Sequence, residues 1–163
     1  MTIQMGERIP AATLNVLKDG VQPISTDAIF GGRKVVLFSV PGAFTPTCSA
    51  KHLPGYVENF AQFQSRGVDV ACIAVNDAFV MDAWAKSQAV PDGLMMLADG
   101  NGAFMRALGL EMDATSFGMG VRGKRFALYA EDGVVKQLHV EAPGEFKVSS
   151  AQAMLETIGA ADA

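Results

Sequence analysis

One cysteine of this chain stands where a nucleophile would. Cys48 nearly closes the segment Pro41–Ser49, PGAFTPTCS, between an apolar run and a stretch of helical spacing. That puts the thiol in the first turn of a helix, where unpaired N–H groups and the positive dipole end favour a thiolate. The thiolate is the attacking form. A disulfide-exchange enzyme would carry a second cysteine three residues earlier, but here that place is Thr45, so the motif is TxxC and not CxxC. A hydroxyl there forms no disulfide. It can donate a hydrogen bond to a small oxygen substrate while accepting one from the thiolate region. Pro41 and Pro46 stiffen the loop and keep bulk water off the sulfur. The spacing suits a peroxide, whose O–O bond must align with the attacking sulfur.

The second cysteine, Cys72, lies in VDVACIAV, which reads as a buried strand. Core packing is its preferred reading. His52, four residues after Cys48, shares its face if the helix is regular and could tune the thiolate. A Cys–His hydrolase dyad needs an orienting partner, and none is evident, so a solvated or capping histidine is preferred. His139 gets the same reading within its strand. Gly118–Gly123 fits GxGxxG, and Gly118–Lys124 fits most of GxxxxGK. The first motif should open a helix and this one precedes a strand; the second should continue with Ser or Thr and meets Arg125. Nucleotide binding is rejected in favour of a flexible loop.

The elements that must position Cys48 follow from periodicity. Residues 11–22 read as a short strand or hairpin, with turns at Lys18-Asp19-Gly20 and Gly31-Gly32. Lys34–Val40 is a strand buried on both faces, ended by Pro41-Gly42. From Pro46 to Gln64 the residues Leu53, Tyr56, Val57, Phe60 and Phe63 form one helical stripe, which Pro54 should kink or strain. Val68–Val75 is a second strand, and Asp77 caps a helix to about Gln88. Leu94–Ala98 is a third strand and Gly102–Leu108 a short helix. Arg125–Tyr129 and Val134–Val140 pair through the hairpin signal Glu131-Asp132-Gly133. Ser149 or Ser150 caps a last helix to about Ile158. Parallel crossovers followed by an antiparallel pair give an α/β mixed sheet covered by helices. This is a single thioredoxin-like domain over 1–163, with an N-terminal extension and an insertion between residues 78 and 110.

The bulk properties agree. At 163 residues, half of them apolar and 18% charged, the chain suits one compact domain. A net charge of −4 argues against nucleic acid or an anionic membrane as partner. No apolar run reaches membrane-spanning length, and Met1–Pro10 lacks the features of a secretory signal. A cytoplasmic protein is expected, with a removed transit peptide as the alternative. Two cysteines are too few for a disulfide scaffold or a four-cysteine zinc site.

The segment PGAFTPTCS resembles the peroxiredoxin active-site signature PxxxTxxC. KHLPGY (51–56), VNDAFV (75–80), LGLE (108–111), GVRGKRFA (120–127) and GEFKVSS (144–150) resemble the plant type II, glutaredoxin-linked branch, which is also peroxiredoxin-five-like. The resemblance implies a thioredoxin fold and peroxide reduction by a cysteine, with no metal, haem or other cofactor. By the same resemblance Cys48 is the peroxidatic cysteine, Thr45 the peroxide-binding hydroxyl, Pro41 the shielding proline and Arg125 the active-site arginine. Arg122 is a weaker candidate for the arginine. A guanidinium fixed near the sulfur would stabilise the thiolate and the leaving oxygen; without the family, Arg125 reads as a solvated strand-end charge.

Attack leaves a sulfenic acid that a second thiol must clear. Animal relatives carry a resolving cysteine near the C-terminus, where this chain has Val148 or a neighbour, so Cys72 is the only internal candidate. Reaching Cys48 from mid-strand requires Cα atoms within about 7 Å and local unfolding of the helix. External resolution by glutathione or glutaredoxin is preferred, with thioredoxin the other reductant. The rival readings are a peroxide sensor that relays oxidation to a partner protein, and a thiol–disulfide oxidoreductase. Most methionines and phenylalanines read as core, though Phe44, Phe79 and Phe117 could border the active site or a dimer interface. A homodimer is implied by the resemblance only.

Overall fold

The computed structural model describes residues 2–162, and its backbone is a seven-stranded mixed sheet between two layers of helices. Along the chain run β1 (Thr13–Leu17), β2 (Val21–Ser25), α1 (Thr26–Phe30) and β3 (Lys34–Ser39). A π-helical turn (Cys48–His52) leads into α2 (Leu53–Glu58) and α3 (Phe60–Ser65). Then come β4 (Val68–Ala74), α4 (Ala78–Ser87), β5 (Met95–Ala98) and α5 (Ala103–Leu108). The chain closes with β6 (Glu111–Asp113), β7 (Val121–Gly123), β8 (Phe126–Glu131), β9 (Val134–Val140) and α6 (Ala151–Asp162). The sheet order is β2-β1-β5-β4-β3-β8-β9, with β6 and β7 forming a separate ribbon.

The central strands β3 and β4 are parallel, as are β4 and β5, whereas β3–β8 and β8–β9 are antiparallel. Both faces of β3 are covered, which is why its sequence is continuously apolar. Val36 and Phe38 face the core under α2, α4 and α6, and Val35 and Leu37 face the core under α1 and α5. In β4 the same alternation sends Val70 and Cys72 to the first side and Ala71 and Ile73 to the second. Cys48 and Cys72 therefore share one core.

The thioredoxin-like mixed sheet matches the expectation, as do the Val134–Val140 strand, the Asp77 cap (Val80 N donates to Oδ1 at 2.8 Å) and the β8–β9 turn. In that turn Asp132 and Gly133 take φ of 49° and 77°, the left-handed pair a tight two-residue hairpin requires. The 78–110 segment is more than an insertion, since it supplies β5, which joins β1 to β4.

Three differences have local causes. β2 runs to Ser25 through Pro23, which an edge strand tolerates because its missing N–H costs no ladder bond. Ser25 then caps the short α1, which gave no periodic signal. The long helix expected over 46–64 is divided. Pro54 cannot donate to the preceding turn, and the backbone ahead of it widens so that Leu53 N reaches Cys48 O, before Asn59 ends α2. Of the two serines before α6, Ser150 is the cap, its Oγ accepting from Ala153 N.

Candidate active site

The loop after β3 is pinned from several sides. Val40 N donates to Ile73 O, and Ala43 N donates to the Asn76 side chain beyond β4. Arg122 donates to Met119 O, Val75 O and, at 3.4 Å, Pro41 O. Arg122 thus staples the loop through backbone carbonyls and makes no hydrogen bond to the sulfur, which removes it as the active-site arginine. Phe44 is held at φ 66°, a strained conformation for a bulky side chain. Thr45 Oγ1 donates to Gly42 O at 2.7 Å, which corrects one expectation: its proton is committed to the loop, leaving the oxygen as an acceptor.

Antiparallel pairing of β3 with β8 delivers the arginine. Ser39 pairs with Phe126, and its Oγ donates to Lys124 O, so Arg125 emerges beside the end of β3. From there Arg125 Nη2 donates to Cys48 Sγ at 3.1 Å. Cys48 is completely buried. The reading of Arg125 as a solvated strand end is excluded by this contact.

The same guanidinium donates through Nη1 to His52 Nδ1 at 2.8 Å. Arginine has no acceptor, so Nδ1 must carry the lone pair and Nε2 the hydrogen, which points at Ser149 O at 3.0 Å. Burial and the adjacent Arg125 charge lower the His52 pKa from 6.5 to about 3, so the ring is neutral. The solvated or capping role expected for His52 is therefore wrong: it is fully buried, with Phe38, Tyr56 and Phe146 around it. The wide π turn keeps its side chain inward with that of Cys48. His139, by contrast, bonds Val148 O from β9.

Beneath this lies an ordered loop. Glu141 follows β9, and its N–H donates to Arg125 O. Its carboxylate accepts from the N–H groups of Lys147, Val148 and Ser149 and from Ser149 Oγ. Burial opposes its ionisation, but these donors outweigh that and hold the carboxyl below its usual range. Ser149 O accepts from both His52 and Tyr56. An acid next to Ala142-Pro143-Gly144 reads from sequence as a loop charge, and only the fold reveals these donors.

Cys72 lies between Phe38 of β3 and Met96 of β5 and is fully buried. Burial, reinforced by nearby Cys48, pushes its thiol well above the ordinary value. Both cysteines are unpaired. A cleft of about 570 Å³ opens beside the site, with Pro41, Thr47, Phe117, Lys124, Arg125 and Glu141 among its walls. Another, of about 170 Å³, near Arg8, Thr26 and Asp132, contains neither cysteine. The glycine-rich 118–123 segment enters β7, a strand, and opens no helix. Among the described residues no group of three or more His, Cys, Asp or Glu side chains could hold a metal ion.

Comparison with known proteins gives a consistent result. The family described as Redoxin matches residues 4–155. Peroxiredoxin-2E, chloroplastic, of Arabidopsis thaliana is 47% identical over 96% of this chain and 70% of its own length. Peroxiredoxin-2B of the same plant is 44% identical over 96% of this chain and 98% of its own. The crystal structure of reduced Prx3 in complex with hydrogen peroxide from Vibrio vulnificus is 48% identical, with a TM-score of 0.92 over 96% of this chain and 99% of that one.

Proposed function

The chain belongs to the redoxin family as a peroxiredoxin, a thiol peroxidase, and from that premise we propose that Cys48 is its peroxidatic cysteine, with glutathione or glutaredoxin as the reductant. The observation that carries this is the Arg125 guanidinium 3.1 Å from a buried sulfur at the head of a helix. Sulfur attacks one oxygen of a hydrogen peroxide or alkyl hydroperoxide. An S–O bond forms, the O–O bond breaks, and the other oxygen leaves as hydroxide or alkoxide, which takes a proton from solvent to become water or an alcohol. Arg125 donates toward the charge that moves from sulfur to the leaving oxygen. Thr45 Oγ1, its own proton given to Gly42, accepts from the peroxide O–H. Pro41, on the cleft wall beside Arg125, limits access of water.

Cys48 is left as a sulfenic acid. A first external thiol converts it to a mixed disulfide with loss of water, and a second releases the Cys48 thiol and an oxidised disulfide. Cys72 takes no part, because it is sealed in β4 and burial disfavours its thiolate. We also place a self-association surface at the exposed Phe44, Phe79 and Phe117, which the chain leaves uncovered. The deciding experiment measures peroxide consumption in parallel with glutathione/glutaredoxin and with thioredoxin. Faster cycling with glutaredoxin, undiminished in Cys72→Ser, is expected. Loss of turnover in Cys72→Ser with every reductant would show that resolution is internal. A single rapid oxidation of Cys48 without cycling would favour the sensor reading.

A further inference from the structure

We propose that His52 is a positioning residue for Arg125: its Nδ1 lone pair, aimed by the Nε2–H bond to Ser149 O, holds the guanidinium on the Cys48 sulfur. The inference rests on the reading of Arg125 as the group that assists attack by Cys48. Arg125 is a long, flexible side chain, and freezing it over the sulfur costs rotamer entropy. Two features supply the constraint. Phe146 lies under the guanidinium, 5.9 Å from ring centroid to Cζ. His52 takes one of its N–H groups at 2.8 Å, so the planar fork can present Nη2 to the sulfur.

The imidazole is itself over-determined. Phe38, Tyr56 and Phe146 surround it at centroid distances of 5.0, 5.7 and 4.9 Å. Its tautomer is set by Ser149 O, and Ser149 is held by the Glu141 carboxylate through both its N–H and its hydroxyl. Glu141 closes the circuit, since its own N–H donates to Arg125 O. A continuous hydrogen-bonded path therefore runs Glu141–Ser149–His52–Arg125–Cys48 and returns through the backbone. Only the neutral ring with hydrogen on Nε2 can serve. A protonated ring would turn a donor toward Arg125 and set two cations face to face.

The test is a double-mutant cycle read on the bimolecular rate of Cys48 oxidation by hydrogen peroxide. His52→Phe keeps an aromatic ring among aromatic neighbours and leaves Ser149 O bonded to Tyr56, so folding should survive. It removes the acceptor for Arg125. The expected loss is about 10- to 100-fold, as for a group misplaced around the reacting atoms. His52→Asn keeps a short acceptor toward Arg125 and should recover much of that loss. In an Arg125→Met background, His52→Phe should have almost no further effect, because a residue acting through the arginine has nothing left to position. Circular dichroism and thermal melting confirm that each variant is folded. A His52→Phe rate within twofold of the parent overturns the proposal, and so does an equal loss with and without Arg125. If Arg125→Met alone leaves the rate unchanged, the assignment of Arg125 fails instead.

Discussion

The chain holds two cysteines that burial cannot tell apart. Both are fully buried, both lie in the core beneath α2, α4 and α6, and both are unpaired. The segments that carry them differ in everything else. Cys72 is mid-strand in β4, its backbone committed to β3 and β5 on either side, and burial pushes its thiol up. Cys48 opens a helix at the end of a pinned loop, with a guanidinium on its sulfur. What separates the two sulfurs is the donor aimed at one of them, the Arg125 guanidinium that the pairing of β3 with β8 delivers to Cys48, and not exposure. The largest break in the comparison is therefore substitution of the sulfur itself. Cys48→Ser should lower peroxide turnover by about 10⁴-fold or more, the scale expected for loss of a nucleophile. Cys72→Ser should retain most turnover with glutaredoxin. Stopped-flow peroxide consumption measures both, and a Cys48→Ser variant that still cycles would end the assignment.

Next in size is the oxygen of Thr45. Because its hydrogen already goes to Gly42 O, the hydroxyl is oriented to accept, and Thr45→Val removes that acceptor while keeping the side chain's shape. A loss of about 10²-fold in the bimolecular rate with peroxide is expected, comparable to removing one oriented hydrogen-bonding group from a reacting centre. Thr45→Ser should recover most of it. If valine reacts as fast as threonine, the hydroxyl is only a loop staple.

How much of this contrast was legible in the sequence depends on distance along the chain. TxxC and its helix are local, so Cys48 and Thr45 stood out, and VDVACIAV declared the burial of Cys72. Arg125 was visible only through family resemblance, because its approach to Cys48 depends on the pairing of Ser39 with Phe126. His52 was misread for a similar reason. It does share the side of Cys48, through a π turn and not the regular helix assumed, but its partners come from residues 73 and 97 positions away, and no local pattern announces them. Pro54 did signal an irregular helix, though not that the chain would resolve it as a wider turn ahead of Leu53. Glu141 sits in what reads as a polar loop, and its four donors exist only once residues 145–149 fold back over β9.

The site's support should also appear in the pH dependence of stability. His52 has an ordinary value of 6.5 and a folded value of about 3. Below pH 6.5 the unfolded chain takes a proton that the folded chain refuses, so this contribution is present above 6.5 and is lost as pH falls toward 3. Its slope is up to about 1.4 kcal/mol per pH unit. Glu141 is held below its ordinary 4.5, so it adds its own loss only under that pH. Denaturant melts should show His52→Phe flattening the fall between pH 6.5 and 4.5, whereas Glu141→Gln changes only the part below 4.5. A wild-type stability that is level from 6.5 to 4.5 would mean that His52 is not held neutral.

The smallest expected effect belongs to the quiet cysteine. If Cys72 is only a packing group, Cys72→Val exchanges one small apolar side chain for another between Phe38 and Met96. The change in unfolding free energy should stay below about 1.5 kcal/mol, the range for hydrophobic swaps of similar volume. Its thiol should also resist alkylation in the folded protein, because β4 is paired on both sides and burial opposes its ionisation, whereas Cys48 follows Thr47 on the cleft wall. Mass spectrometry after brief iodoacetamide treatment would therefore find the label on Cys48 and find Cys72 modified only after denaturation. Equal labelling of both in the native protein would mean that β4 opens readily between β3 and β5. The strand would then be able to bring a second thiol to the sulfenic acid, and the difference between the two cysteines would be one of rate and not of role.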